Sequence, residues 1–205
     1  MITNYAVITA DVIGSRDYED FDNRFYNRIK EMDSDCLLTP FKISRGDEIQ
    51  AICNEVYCIP MVLRHLRYRC HPFALRIAVG IGEIKNVEKT ENSWDKNGPL
   101  FNKVRDILEE IKDEDKPLTR FITEDENMNI YLNTIYSLID KIMDNWSIKQ
   151  WEAIQLYYKN KNLKKVGKLL NITYQSTHER IQRSNWNTID YCEKNISLLL
   201  KKEFM

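Results

Sequence analysis

No apolar run in the 205 residues approaches the roughly eighteen that a membrane span needs, and the N-terminus lacks the basic-then-apolar pattern of a signal peptide. The expected location is therefore the cytoplasm, with no membrane partner. The five cysteines, Cys36, Cys53, Cys58, Cys70 and Cys192, are odd in number and contain no Cys-x-x-Cys pair. That spacing argues against a structural zinc site and against a disulfide framework, and predicts reduced core thiols. The three histidines, His65, His71 and His178, stand at no metal-ligand spacing from one another. Gly80-Ile81-Gly82 lacks the third glycine and the immediate helix of a dinucleotide fingerprint.

What is present fills a globular core, since 43% of the residues are hydrophobic. The net charge of −1 conceals an asymmetry. Residues 1–144 carry 19 Lys+Arg against 26 Asp+Glu, whereas residues 145–205 carry 11 against 5. An acidic body followed by a basic C-terminal third suggests two modules, the second facing a polyanion.

The stretch Tyr5 to Arg16 organises the first module. A β-rich apolar run ends on Asp11, turns through Gly14-Ser15-Arg16 and gives way to a helical pattern over residues 17–36. An acid at a strand end can ligate a hard cation, and the N–H groups of a new helix can face an anion. Two short strands around Ser44-Arg45-Gly46-Asp47-Glu48 predict a hairpin, with Gly46 in the positive-φ position. If the strands are neighbours, Asp47 joins Asp11 at one end of the sheet, and two such acids can hold two divalent ions against a triphosphate. A helix over residues 56–71 follows, with Arg64, Arg67 and Arg69 expected on its solvent face. Then come a strand through Phe73–Gly82, a polar loop over residues 85–97, and a helix from Gly98-Pro99 that carries Asn102 and Arg105.

After a connecting helix over residues 127–144, Ser147 is a good N-cap for a new helical unit. A helix over residues 149–159, a second from Asn162 to Leu170, the turn Asn171-Ile172-Thr173 and a third from Tyr174 to Trp186 form a helix-turn-helix pattern. Tyr174, Gln175, Ser176, His178, Arg180 and Arg183 are candidate DNA contacts on the third helix, and Lys164 and Lys165 on the second. The competing readings are a helical bundle used for dimerisation and a helix-turn-helix that contacts protein. A final amphipathic helix over residues 189–204 suits packing or dimer formation.

Taken in order, Tyr5–Arg16, Phe41–Ala51, Arg76–Gly82 and Gly98–Arg105 resemble the SatD family, whose N-terminal part is similar to the class III nucleotidyl cyclase catalytic domain. Val166-Gly167-Lys168-Leu169-Leu170-Asn171-Ile172-Thr173 resembles region 4 of sigma factors. The resemblance implies an α+β fold: a ferredoxin-like palm over residues 1–125, a connecting helix over 126–145 and an all-α helix-turn-helix domain over 146–205. It implies Asp11 and Asp47 as catalytic or metal-holding residues with Val12 beside them, and Mg2+ or Mn2+ as the ion. Ile13, Gly14, Ser15, Arg16, Arg45, Gly46, Asn102 and Arg105 become candidate nucleotide contacts, although Asn102 and Arg105 are three residues apart where cyclases space the pair by four. The expected function is a DNA-binding transcriptional regulator that senses a nucleoside triphosphate or other nucleotide, and the likeness to cyclases implies a homodimer. The alternative is an active nucleotidyl cyclase or nucleotidyltransferase.

Overall fold

Strand β1, Asn4–Val12, is apolar on both sides because it is central in a sheet covered on both faces. The computed structural model describes the chain apart from residues 1–2, 31, 33, 45, 86, 88–91, 114–117 and 205 and the side chain of residue 22. The sheet has five strands in the order β2-β3-β1-β4-β5, with β2 Leu37–Ile43, β3 Ile49–Cys53, β4 Leu75–Glu83 and β5 Leu118–Ile122. β1 runs antiparallel to β3 and β4, while β4 and β5 are parallel and joined across α3, Pro99–Glu110.

The period-two alternation of β1 sorts its residues between two cores. Ala6, Ile8, Ala10 and Val12 join the cluster beneath α1, Phe21–Lys30, and α2, Ile59–Cys70, whereas Val7 joins Ile52, Ala78 and the apolar stripe of α3. Helix α1 is shorter than the expected 17–36. Residues Ser15–Asp17 form a single 3-10 turn, Tyr18 is extended, and Asp20 has a φ of 51° that breaks the run before Phe21. At Gly80 the strand packs closely under α3, where an added Cβ would collide with Val104 Cγ2.

Two arginines of α2 overturn their expected place on the solvent face. Arg64 is 1% exposed and Arg67 8% exposed. Arg64 Nε donates to both carboxylate oxygens of Glu193, at 3.0 and 2.9 Å, and its guanidinium stands 4.2 Å from the Tyr158 ring centroid. Arg67 Nη2 donates to Asp140 Oδ1 at 2.7 Å, and its Nη1 donates to the Leu75 carbonyl at 3.1 Å. Burial pushes the Glu193 carboxyl up to about 7 against the opposing pull of Arg64.

The edge strand β5 is closed by side chains of α4, Glu126–Asp144. Asn133 Oδ1 accepts from the Phe121 amide at 2.7 Å, Asn129 Oδ1 from the Thr123 amide at 2.7 Å, and Asp140 Oδ2 from the Thr119 amide at 2.5 Å. The Asn129 and Asn133 amides donate back to the Thr123 and Phe121 carbonyls. An exposed row of strand groups invites pairing with another chain, and these side chains satisfy it.

Helices α5 Ile148–Asn160, α6 Leu163–Leu170, α7 Tyr174–Arg183 and α8 Trp186–Phe204 complete the chain. The expected third helix through Trp186 is interrupted because Asn185 has a φ of 55°, which starts a new helix at Trp186. Trp146, Trp151, Trp186, Ile189, Ile196 and Leu200 belong to the same buried cluster as β1, so the core runs unbroken from the sheet into the C-terminal helices. No helix among the described residues is long and apolar enough to cross a membrane.

The thiol expectation is corrected in part. Cys36 and Cys58 form a disulfide, brought together because Cys36 precedes β2 while Cys58 ends the 3-10 turn before α2, and the Asn54 amide donates to the Cys36 carbonyl at 3.1 Å. Neither spacing nor count reveals such a pair. Cys53 and Cys70 are free and buried, and burial pushes each thiol up to about 12.

Replacing Asp140 with alanine leaves Arg67 charged and buried without its carboxylate and strips the Thr119 amide of its acceptor. The expected loss is about 3–5 kcal/mol in urea unfolding, against less than about 0.5 kcal/mol for the exposed control Asp144→Ala.

Candidate functional sites

The turn after β1 and the β2–β3 hairpin meet at one end of the sheet. β1 pairs with β3 as far as Ala10 opposite Ile49, which sets the hairpin loop beside the end of β1. The Ser44 amide donates to the Glu48 carbonyl at 2.9 Å, and Gly46 has a φ of 75°, the conformation the sequence assigns it. A cavity of about 790 Å³ lies there, lined by Ser15, Arg16, Tyr18, Asp20, Phe21, Asn23, Gly46 and Asp47. Four sequence-chosen residues, Ser15, Arg16, Gly46 and Asp47, thus share one opening.

Asp11 is 5% exposed and is not among the residues that line it. Its Oδ2 accepts from Arg76 Nη1 at 3.0 Å, while its Oδ1 is buried without a hydrogen-bond partner. Burial raises the Asp11 carboxyl above its usual value and outweighs the attraction of Arg76, and the nearby Asp47 charge raises it further. Arg76 is the residue sequence reasoning passed over. Its signal is an arginine one position into an apolar strand, and its partner follows from register, since Asp11 and Arg76 are directly opposed on β1 and β4.

The remaining candidates separate from this cavity. Val12 is buried, and the Ile13 amide is taken by the Ala74 carbonyl at 2.9 Å. Gly14, with a φ of 64°, caps the 3-10 turn, which is too short to offer the helix N-terminus expected for an anion. Asn102 and Arg105 are exposed on α3, outside the residues that line the cavity. Arg45 lies outside the described residues. Among the described residues no three His, Cys, Asp or Glu side chains gather as a metal-ligand group.

A second surface is built by α6 and α7. Asn162 Oδ1 caps α6 through the Lys165 amide at 3.0 Å, Asn171 ends it with a φ of 53°, and Thr173 Oγ1 caps α7 through the Ser176 amide at 3.1 Å. The helices cross at Gly167, where an added Cβ would lie 2.9 Å from Thr177 Oγ1 and 3.0 Å from the Ile172 carbonyl oxygen. This crossing turns the first residues of α7 outward. Tyr174, Gln175, His178 and Arg183 are exposed and Ser176 and Arg180 half-buried, with Lys164 and Lys165 exposed on α6. Between Glu152 and Glu179 the chain holds Lys159, Lys161, Lys164, Lys165 and Lys168 and no acid.

Fold and sites define a mixed α+β protein with an acid-bearing cavity at one end of its sheet and a lysine-rich pair of short helices near its C-terminus. It belongs to the SatD family, whose profile matches residues 5–196. No curated protein matches it. A crystal structure of a regulator of polyketide synthase expression from Bifidobacterium adolescentis aligns over 98% of this chain and 81% of that one, at 13% identity and a TM-score of 0.27, too slight a likeness to bear on the fold.

Gly167→Ala forces either Thr177 or the turn carbonyl aside. The expected cost is about 1–3 kcal/mol by chemical unfolding, smaller in a Thr177→Ala background, which removes the Oγ1 that the new Cβ would strike.

Proposed function

We propose that the protein is a DNA-binding regulator whose α6–turn–α7 unit is a helix-turn-helix and whose sheet body binds a phosphate-bearing ligand such as a nucleotide. The observation that carries the reading is the α6–α7 crossing at Gly167, which exposes a polar recognition face beside a lysine-rich, acid-free run. Lys164 and Lys165 supply phosphate contact, Gln175 and His178 reach base edges, and Arg180 and Arg183 grip backbone or guanine. The surface ion pair between Arg183 and Glu179, at 2.6 Å, is weak enough to yield to a phosphate.

The strand order β2-β3-β1-β4, with α1 and α2 as crossovers, supports the palm reading of the sheet body. On this reading Asp47 would hold one hard divalent cation, Mg2+ or Mn2+, beside a phosphate at Ser15 and Arg16, with the unpaired, buried Asp11 Oδ1 as the second candidate ligand. Arg76 already holds Asp11 Oδ2 and offsets its charge, so two ions clamped by two free carboxylates do not fit, and this favours a sensor over a catalyst.

Binding of duplex DNA is measured by fluorescence anisotropy across salt concentrations. Affinity is expected to fall steeply with salt, Arg183→Ala to weaken it about tenfold, and Lys165→Ala to reduce the salt slope by about one. Affinity indifferent to salt and to both substitutions contradicts the DNA reading. For the sheet body, the part of the Tm rise with a ribonucleoside triphosphate that requires Mg2+ is expected in the wild type and not in Asp47→Asn. An equal Mg2+-dependent rise in both removes the cation assignment.

A further inference from the structure

A cavity of about 390 Å³ opens where α1 and α2 meet the first residue of α5, lined by Arg24, Asn27, Arg28, Tyr68, Arg69 and Ile148. It shares no residue with the cavity at Asp47. Among the described residues that line it, half are arginines, drawn from two helices, and none is acidic.

The surrounding packing fixes these guanidinium groups in place. Those of Arg24 and Arg28 stand 5.4 and 5.8 Å from the Phe73 ring centroid. Arg28 Nη1 donates to the Arg69 carbonyl at 3.1 Å, and Arg69 Nε and Nη2 donate back to the Arg28 carbonyl at 3.4 and 3.3 Å. Arg24 Nη1 donates to the Glu19 carbonyl at 3.4 Å. A guanidinium carries about five N–H groups, so these carbonyl bonds leave most donors of Arg24 and Arg28 available.

The field of the cluster reaches the neighbouring imidazoles. Burial and then Arg28 push His71 below its usual value, and burial and then Arg69 do the same to His65. Gathering like charges costs free energy that an anion would recover, and the planar arginine fork matches phosphoryl oxygens two at a time. The Asn27 amide and Tyr68 hydroxyl add neutral donors, while Ile148 supplies an apolar wall.

We propose that this cavity binds a phosphate-bearing anion, with Arg24 and Arg28 gripping its phosphoryl oxygens. The site needs no metal and stands whether or not α6–α7 binds DNA. Tyr68 also lies 6.1 Å from Trp151 between ring centroids, so an occupant touches the body and abuts the first helix of the C-terminal unit.

The test is calorimetric titration of the full chain with pyrophosphate, without divalent metal, beside Tm measurements at matched ionic strength in sodium chloride. The expected result is saturable binding and a Tm rise beyond that in chloride. Arg24→Gln and Arg28→Gln should each weaken affinity about tenfold. Arg24 is exposed, so its variant keeps the wild-type circular dichroism, and Asp47→Asn should bind as the wild type does. Three outcomes overturn the proposal: no saturable binding, affinity unchanged in the Arg24→Gln/Arg28→Gln double variant, or binding lost in Asp47→Asn.

Discussion

Two arginines one helical turn apart on α2 hold the molecule together. Arg64 reaches Glu193 on α8 and Arg67 reaches Asp140 on α4, and both pairs lie inside the core. The Asp140 carboxylate also accepts from the Thr119 amide and hydroxyl, so a single carboxylate ties α2, α4 and the edge strand. Buried ion pairs add little net stability against an apolar alternative, but losing one partner is expensive. Their effect here is geometric: neither α4 nor α8 can shift against the sheet without stranding a charge.

That constraint bears on how a ligand signal could reach the proposed DNA-binding face. The C-terminal helices are not a bead on a tether, because the Phe204 carbonyl accepts from Asn4 at the start of β1 and three tryptophans pack into the shared core. A ligand in either candidate cavity therefore acts on the packing of a joined body. It changes DNA affinity only by its differential affinity for two packings of that body.

The elements with local chemistry were legible in the sequence. The β2–β3 hairpin follows from Gly46, α5 from Ser147, and the α6–α7 turn from Asn171 and Thr173, whose side chains or backbone settle their own neighbourhoods. The features that escaped depend on distant partners. Arg64 and Arg67 read as a solvent face because their carboxylates lie 129 and 73 residues away. Asn129 and Asn133 read as ordinary polar positions until β5 lies alongside α4, and Arg76 acquires its role only through its register with Asp11. Ser15, Arg16, Gly46 and Asp47 share a cavity because the turn after β1 and the β2–β3 hairpin meet at one end of the sheet.

Sheet and C-terminal helices form one cooperative unit built on the α2 arginines. Its most direct test is urea unfolding followed at once by tryptophan fluorescence and by amide hydrogen exchange of β1 and β4. Three of the four tryptophans, Trp146, Trp151 and Trp186, lie in the C-terminal part. The account predicts coincident transitions for both signals. A tryptophan transition at lower urea, with β1 and β4 still protected, would show that the helices unfold alone and would contradict it.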